Sequence, residues 1–473
     1  MHNGSVQHVT ESGPHVDENE AMKLKRWLRT RSSALICSRL FRNLSRSSHA
    51  VRRRLNGGPA VVHYFHQVDD PYSDLAVRAL PHLAKNYRIQ LIPHIVPAPD
   101  KGAAPEPEHL TAWSLRDATD LANALKLSPA PWQQSPERMH IMRAQATLAD
   151  IVDPHDFTDA AAAIRQSFTA PGDIRPGPQE TGDAAGALAA GQALRDSMGH
   201  YLGGTFYFEG EWYWGLDRLP YLEHRLRSLA QGPAVAPFVD RLECSVPSLS
   251  GPFKAGKGHA SGASGSHASG PRIDLYFSFR SPYSYLALPR VIALARHYNA
   301  ELRLRFVLPM VMRGLPIPES KRRYIVSDTK REAERVGLPF GLIADPVGKP
   351  TERGLAVLHH AIKDGKGEAF AQSFMRGVFA EGINARSDTG LKKLCRRAGI
   401  GVNEMAAALA DPDWRSVAES NREEMFSLGI WGVPAFRVNG GTAHWGQDRL
   451  WLLEQQLQLA LAEASPASAV ASE

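Results

Sequence analysis

Two stretches of the chain share one alternation of apolar and polar residues, and both run into the same tripeptide. Ala60–Ser73 reads AVVHYFHQVDDPYS and Arg272–Ser284 reads RIDLYFSFRSPYS. In each, a β-branched and aromatic run predicts a strand, Pro-Tyr-Ser follows, and a helix-like stretch comes next, Asp74–Tyr87 and Tyr285–Tyr298. Both helices lead to a second apolar run that ends at proline, Ile89–Pro97 and Leu302–Pro309. Far downstream the likeness returns. Phe206–Leu219 reads FYFEGEWYWGLDRL and Phe436–Leu450 reads FRVNGGTAHWGQDRL, each predicting a strand, a glycine turn, a second strand and a closing helix.

The repeated unit runs strand, helix, strand, helical middle, β-hairpin, helix. That order predicts an α/β chain of two tandem thioredoxin-like domains, each with a helical insertion between its halves. In the second copy the middle is expected as helices over Lys321–Val336, Thr351–Ile362, Glu368–Phe379, Thr389–Ala398 and Trp414–Leu428, from apolar residues at three- and four-residue spacing. In the first copy it is Ala- and Pro-rich around Asp159–Ala193 and less regular. Composition sets the boundaries. Residues 1–58 read as a disordered leader and a basic amphipathic segment, 59–243 as the first domain and 244–271 as a Gly/Ser/His-rich linker. The second domain is expected over 272–463, followed by a frayed tail, 464–473.

The 473 residues are 43% hydrophobic and 22% charged, which fits a globular chain, and no run approaches the ~18–20 apolar residues of a membrane-spanning helix. The net charge of +6 is uneven: eleven basic and no acidic residues lie between Met22 and Asn56, leaving the remainder mildly acidic. A nucleic-acid-binding body is therefore not expected. The basic segment has three readings: a helix on an anionic membrane surface, a transit peptide, or a helix docked on the protein's own body. Met22 is an alternative start. The three cysteines, Cys37, Cys244 and Cys395, form no CxxC pair, so neither a disulfide framework nor a zinc knuckle is predicted, and the usage suits a reducing cytoplasm. His259 and His267 of the linker make a poor metal site, and no metal is expected.

At the Pro-Tyr-Ser corner of a thioredoxin fold, backbone N–H groups and the helix dipole favour an anion, especially a thiolate. The four corner residues are Asp70-Pro71-Tyr72-Ser73 and Ser281-Pro282-Tyr283-Ser284. Hydroxyls cannot form a disulfide, so dithiol exchange is excluded at both. Ser281 can donate to a bound thiolate; by itself it is as well read as a helix cap. Two further features converge with it. Val433-Pro434 enters the third strand, where the peptide before the proline is expected to be cis and to offer backbone groups to a peptide-like ligand. Gln447 and Asp448 open the last helix beside the same cleft.

These residues resemble the kappa-class glutathione transferase and 2-hydroxychromene-2-carboxylate isomerase family, in the DsbA-like branch of thioredoxin folds. The likeness rests on LYFSFRSPYSYLALP, RGLPIPESKRRYIVSDTKREAERVGLPFG, GVPAF and WGQDRL, over about Arg272–Leu459. It implies that Ser281 stabilises the glutathione thiolate, that Val433 before Pro434 pairs with the cysteinyl backbone, and that Gln447 and Asp448 meet the γ-glutamyl end. Gln447 departs from the serine usual there. The first copy, about Pro59–Leu229, resembles the family more weakly: Asp70 replaces the serine, Gly203-Gly204 replaces Val-Pro, and Asp217 keeps the acidic place. A carboxylate facing a thiolate raises the thiol pKa, so this copy reads as a scaffold. Family members dimerise, which implies an internal pseudo-dimer or a homodimer.

The leading expectation is a glutathione-dependent enzyme whose thiolate adds to an electrophilic carbon or isomerises a cis alkene, with Tyr324, Phe340 and Phe379 as acceptor contacts or core. The alternatives are a non-catalytic glutathione or peptide binder and a disulfide-type oxidoreductase relative without dithiol chemistry.

Overall fold

In the computed structural model of the chain, residues 28–168, 183–232, 234–246, 270–315 and 317–463 are described. Two sheets of four strands, one in each half, carry the architecture. Helices α1 (28–36) and α2 (Arg39–Leu55) precede β1 (Val61–His66), α3 (Pro71–Val77), α4 (Leu80–Asn86) and β2 (Gln90–Ile95). Four helices follow, α5 (Pro107–Ala124), α6 (Arg138–Leu148), α7 (Pro154–Ser167) and α8 (Ala184–Ser197). The half closes with β3 (Thr205–Phe208), β4 (Glu211–Trp214) and α9 (Gly215–Leu226). Its sheet order is β2-β1-β3-β4, with β1 parallel to β2 and antiparallel to β3.

The C-terminal half repeats this plan. It comprises β5 (Arg272–Phe277), α10 (Pro282–His297), β6 (Glu301–Phe306), α11 (Glu319–Arg335), α12 (Lys349–Lys363), α13 (Gly367–Ala380), α14 (Asp388–Arg397), α15 (Val402–Ala410) and α16 (Trp414–Ser427). Strands β7 (Ala435–Val438) and β8 (His444–Trp445) and helix α17 (Leu450–Glu463) complete it, and the order β6-β5-β7-β8 has the same strand directions as the first sheet. Five of the six β5 residues are buried, as a strand covered by helices on both faces requires.

Three expectations change. The helix after the first corner is two helices, because Pro81 has no N–H for the Val77 carbonyl and its ring crowds that turn. The first helical middle begins at Pro107, well before Asp159, and α15 went unforeseen between α14 and α16. Residues 28–36 and 39–55 are helical, and the second helix is tied to the body by ion pairs of Arg39 and Arg42 with Glu334, Arg46 with Glu211 and Arg53 with Glu209. The leader, most of the expected linker with its two histidines, and the tail lie outside the described residues. Among the described residues no helix is long and apolar enough to cross a membrane.

Candidate functional site

Ser281 caps α10. Its backbone is extended (φ −88°, ψ 112°), and Pro282 takes the first helical place, where a missing N–H costs nothing. The Ser281 Oγ accepts from the Ser284 N–H at 3.1 Å and donates to the Val433 carbonyl at 3.3 Å. Ser281 therefore faces Val433 across the corner, and the Val433–Pro434 peptide is cis. Gly432 is a glycine for a steric reason: a Cβ there would lie 2.1 Å from the Trp445 ring. That ring and Trp431 pack with centroids 4.9 Å apart. No cysteine stands at the corner. Burial lifts the Cys37 and Cys395 thiols to about 11 and about 12, so these remain protonated at neutral pH.

Gln447 and Asp448 are brought close to the corner helix, but their polar atoms already have partners. Arg290 of α10 donates to the Gln447 side-chain carbonyl at 3.0 Å and to its backbone carbonyl at 3.2 Å. The Gln447 amide nitrogen donates to Asp448. Asp448 accepts from Arg218 of α9, in the other half, at 2.9 and 3.0 Å. Burial raises the Asp448 carboxyl above its ordinary value, against the pull of Arg218. A ligand amine reaching Asp448 would share its oxygens with Arg218, whose single charge is already divided between Asp448 and a second carboxylate, Asp328.

Arg218 belongs to an exchange between the halves. Its Nε and Nη2 also donate to the two oxygens of Asp328 on α11 at 2.7 and 2.8 Å, and Tyr283 of the second corner donates to Asp328 at 2.8 Å. The counterpart runs the other way. Arg449 donates to Asp117 on α5 at 2.8 and 2.9 Å and to Asp217 at 2.9 and 3.1 Å, while Tyr72 of the first corner donates to Asp117 at 2.6 Å. Each forked guanidinium meets two carboxylates in the geometry that suits it. Sequence reading assigned no role to Arg218, Asp328, Asp117 or Arg449; the Asp-Arg pair repeated in WGLDRL and WGQDRL was the available signal.

The first corner is built differently. Asp70 caps α3 by accepting from the Ser73 N–H at 2.9 Å and the Ser73 hydroxyl at 2.7 Å, and burial lifts its carboxyl to about 6. Gly203 and Gly204 press on this corner: a Cβ on Gly203 would lie 2.5 Å from the Gln67 Cβ, and Gly204 has φ +61°. The Gly203-Gly204 backbone thus packs closely on Gln67 and on Tyr72 and Ser73 at the start of α3.

The expected acceptor contacts separate. Phe340 and Phe379 pack on each other and on Tyr285 inside the C-terminal core, so they are core residues. Tyr324 is buried against Phe65 and Trp212 of the N-terminal half. The apolar residues beside Val433 come from both halves: Leu110 and Trp113 of α5 cluster with Met310, Trp431 and Trp445, and His109 lies over Trp431 at 6.1 Å.

Comparison with known proteins concerns the C-terminal half. The chain is 25% identical over 193 residues to the 2-hydroxychromene-2-carboxylate isomerase of Sphingobium xenophagum, covering 39% of this chain and 97% of that one. It is 23% identical over 193 residues to the Pseudomonas putida isomerase of the same name, covering 39% and 93%. A solved 2-hydroxychromene-2-carboxylate isomerase superposes with a TM-score of 0.35 at 21% identity, covering 41% of this chain and 97% of its own. Residues 272–458, which hold the Ser281 corner, Val433, Gln447 and Asp448, match the DsbA-like thioredoxin domain family.

Proposed function

We propose that the C-terminal half binds glutathione, holds its thiol as thiolate at Ser281, and uses it as a nucleophile on a small electrophile or a cis alkene, as a transferase of the kappa kind or as an isomerase. The observation that carries this is the Ser281 hydroxyl, capping a 16-residue helix 3.3 Å from the Val433 carbonyl. A hydroxyl there can turn from the carbonyl to a ligand sulfur, and the helix N-terminus favours the negative charge. Val433 would pair with the cysteinyl backbone by strand addition. Gln447 and Asp448, held by Arg290 and Arg218, would receive the γ-glutamyl end, the Asp448 carboxylate taking its amine. The sequence relatives bearing an isomerase name support the same reading.

The N-terminal half is, in this reading, a degenerate tandem copy and the second member of an internal pseudo-dimer. It supplies Arg218 and a wall from α5, with Asp70 and the Gly203-Gly204 backbone where a thiol would sit. A second reading, a glutathione binder without chemistry, is favoured by one observation: the Ser281 proton is already given to Val433. Titration with glutathione and S-methyl glutathione separates the two. Both ligands should raise the melting temperature in either case. Ultraviolet absorbance of a thiolate at neutral pH is expected only for the enzyme, and its absence would leave the binder.

A further inference from the structure

A surface helix normally turns its apolar stripe to the core. Helix α2 does the reverse. Leu40, Leu44, Val51 and Leu55 recur at helical spacing along its outer side, with Phe41 beside them, and Leu40 and Leu55 are 77% and 81% exposed. Helix α1 adds exposed Leu28, Leu35 and Ile36. The side turned to the body is basic: Arg39 and Arg42 bond Glu334, Arg46 bonds Glu211 through both its Nε and Nη2, and Arg53 bonds Glu209. The turn between the helices is anchored by buried Cys37, and α1 by Ser33, whose Oγ donates to the Gly341 carbonyl at 2.9 Å and accepts from the Ile343 N–H at 3.1 Å. The glutamates thus fix the pair of helices with its hydrophobic side outward.

An exposed apolar stripe of this kind, interrupted at Ser47 and Ser48, marks an interaction surface, and charge selects its occupant. Eleven basic residues and no acidic one lie between Met22 and Asn56, and Arg29, Arg52 and Arg54 are exposed around the stripe. Two copies packed stripe to stripe would set these cations against each other with no acid on either segment to offset them. An anionic lipid surface complements both features at once: acyl chains take the leucines and phosphates take the arginines.

We infer that α1 and α2 form a docking face for an anionic bilayer. It lays Leu40, Leu44, Val51 and Leu55 into the boundary between headgroups and acyl chains, with Arg29, Arg52 and Arg54 at the level of the phosphates. This rests on no assumption about Ser281.

The test is co-sedimentation of the full chain with phosphatidylcholine vesicles, with and without phosphatidylglycerol, beside light scattering of the protein alone. The chain is expected to sediment with the anionic vesicles and to stay in solution with the neutral ones. The triple variant Leu40→Gln, Leu44→Gln, Leu55→Gln should keep its melting temperature and lose at least about tenfold in partitioning. Should the triple variant melt early, the pair Leu40→Ala, Leu55→Ala must give the same loss in smaller degree. No binding by the parent, or equal binding by the variants, would overturn the inference. So would a parent dimer that the variants turn into monomer, which would assign the stripe to a second copy.

Discussion

Arg218 and Arg449 change places: each lies near the start of the last helix of its own half, Arg218 in the first turn of α9 and Arg449 just before α17, and ends between two aspartates of the other. Arg218 lies 3% exposed and Arg449 4% exposed, so these are fully desolvated ions whose cost is offset only while all four carboxylates stay in reach.

Removing either arginine should therefore destabilise the chain strongly. Arg218→Ala and Arg449→Ala are each expected to cost about 3–5 kcal/mol, because a buried aspartate, Asp328 or Asp117, and a part-buried one, Asp448 or Asp217, lose their counter-charge. Thermal melts with calorimetry measure this. The two should differ in ligand binding: Arg218→Ala takes the guanidinium from Asp448 and Asp328 beneath the Ser281 corner and should weaken glutathione, whereas Arg449→Ala acts beneath Asp70 and should not. Arg218→Lys should recover part of the stability. Equal loss of glutathione affinity from both alanine variants would count against a division of labour between the corners.

Ser281→Ala should raise the pKa of bound glutathione by about one to two units, since a charge-assisted hydrogen bond is worth ~1.5–3 kcal/mol. Turnover near neutral pH should drop about ten- to a hundredfold in consequence. S-methyl glutathione, which has no thiolate, should bind as before. Asp70→Ala removes a cap of the same kind and should lower stability by about 0.5–2 kcal/mol without touching turnover. Thiolate absorbance against pH and a parallel melt read both effects, and an unmoved thiol pKa in Ser281→Ala would place the chemistry elsewhere.

Docking of α2 should depend on pH through Glu211. Burial alone would push its carboxyl up, but the Arg46 hydrogen bonds and the charge of Arg331 outweigh this and hold it at about 2, against an ordinary 4.5. A depressed carboxylate stabilises the folded contact above its unfolded pKa and loses that contribution as the pH falls toward its folded one. The protection factors of the α2 amides, which divide out the intrinsic slowing of exchange with acid, should therefore fall from about pH 4.5 down to about pH 2. In Glu211→Gln protection should be lower already at neutral pH, and the fall that remains with acid is that of Glu334, whose carboxyl burial would raise but Arg42 and Arg39 hold below its ordinary value. A parent helix equally protected across that range would show that Glu211 does not hold it.

The corners were legible because they are local. A Ser or Asp before Pro-Tyr-Ser declares a helix cap in four residues, and Trp-Gly-x-Asp-Arg-Leu declares a helix start in six. The strands were legible from alternation in Val61–His66 and Arg272–Phe277. Helix α5 was not, because its buried side is partly polar: Trp113, Ser114, Asp117 and Ala118 are buried where periodicity would ask for leucines. What makes Asp117 a core residue is Arg449, 332 positions away, and no window of sequence holds both. Gln447 and Asp448 were read as free hands, since Arg290 and Arg218, which hold them, come from other elements. The outward stripe of α2 misleads in the same way. Its pattern is that of any amphipathic helix, and only the positions of Glu209, Glu211 and Glu334 say which side faces in.

An arginine lent by one polypeptide to another is lost on dilution, whereas here lender and borrower are the same molecule. A tether of ordinary length keeps its two ends at an effective concentration on the order of millimolar. The Arg218–Asp448 contact is therefore formed at any abundance of the protein, and the make-up of the Ser281 corner does not vary with how much of the chain is present.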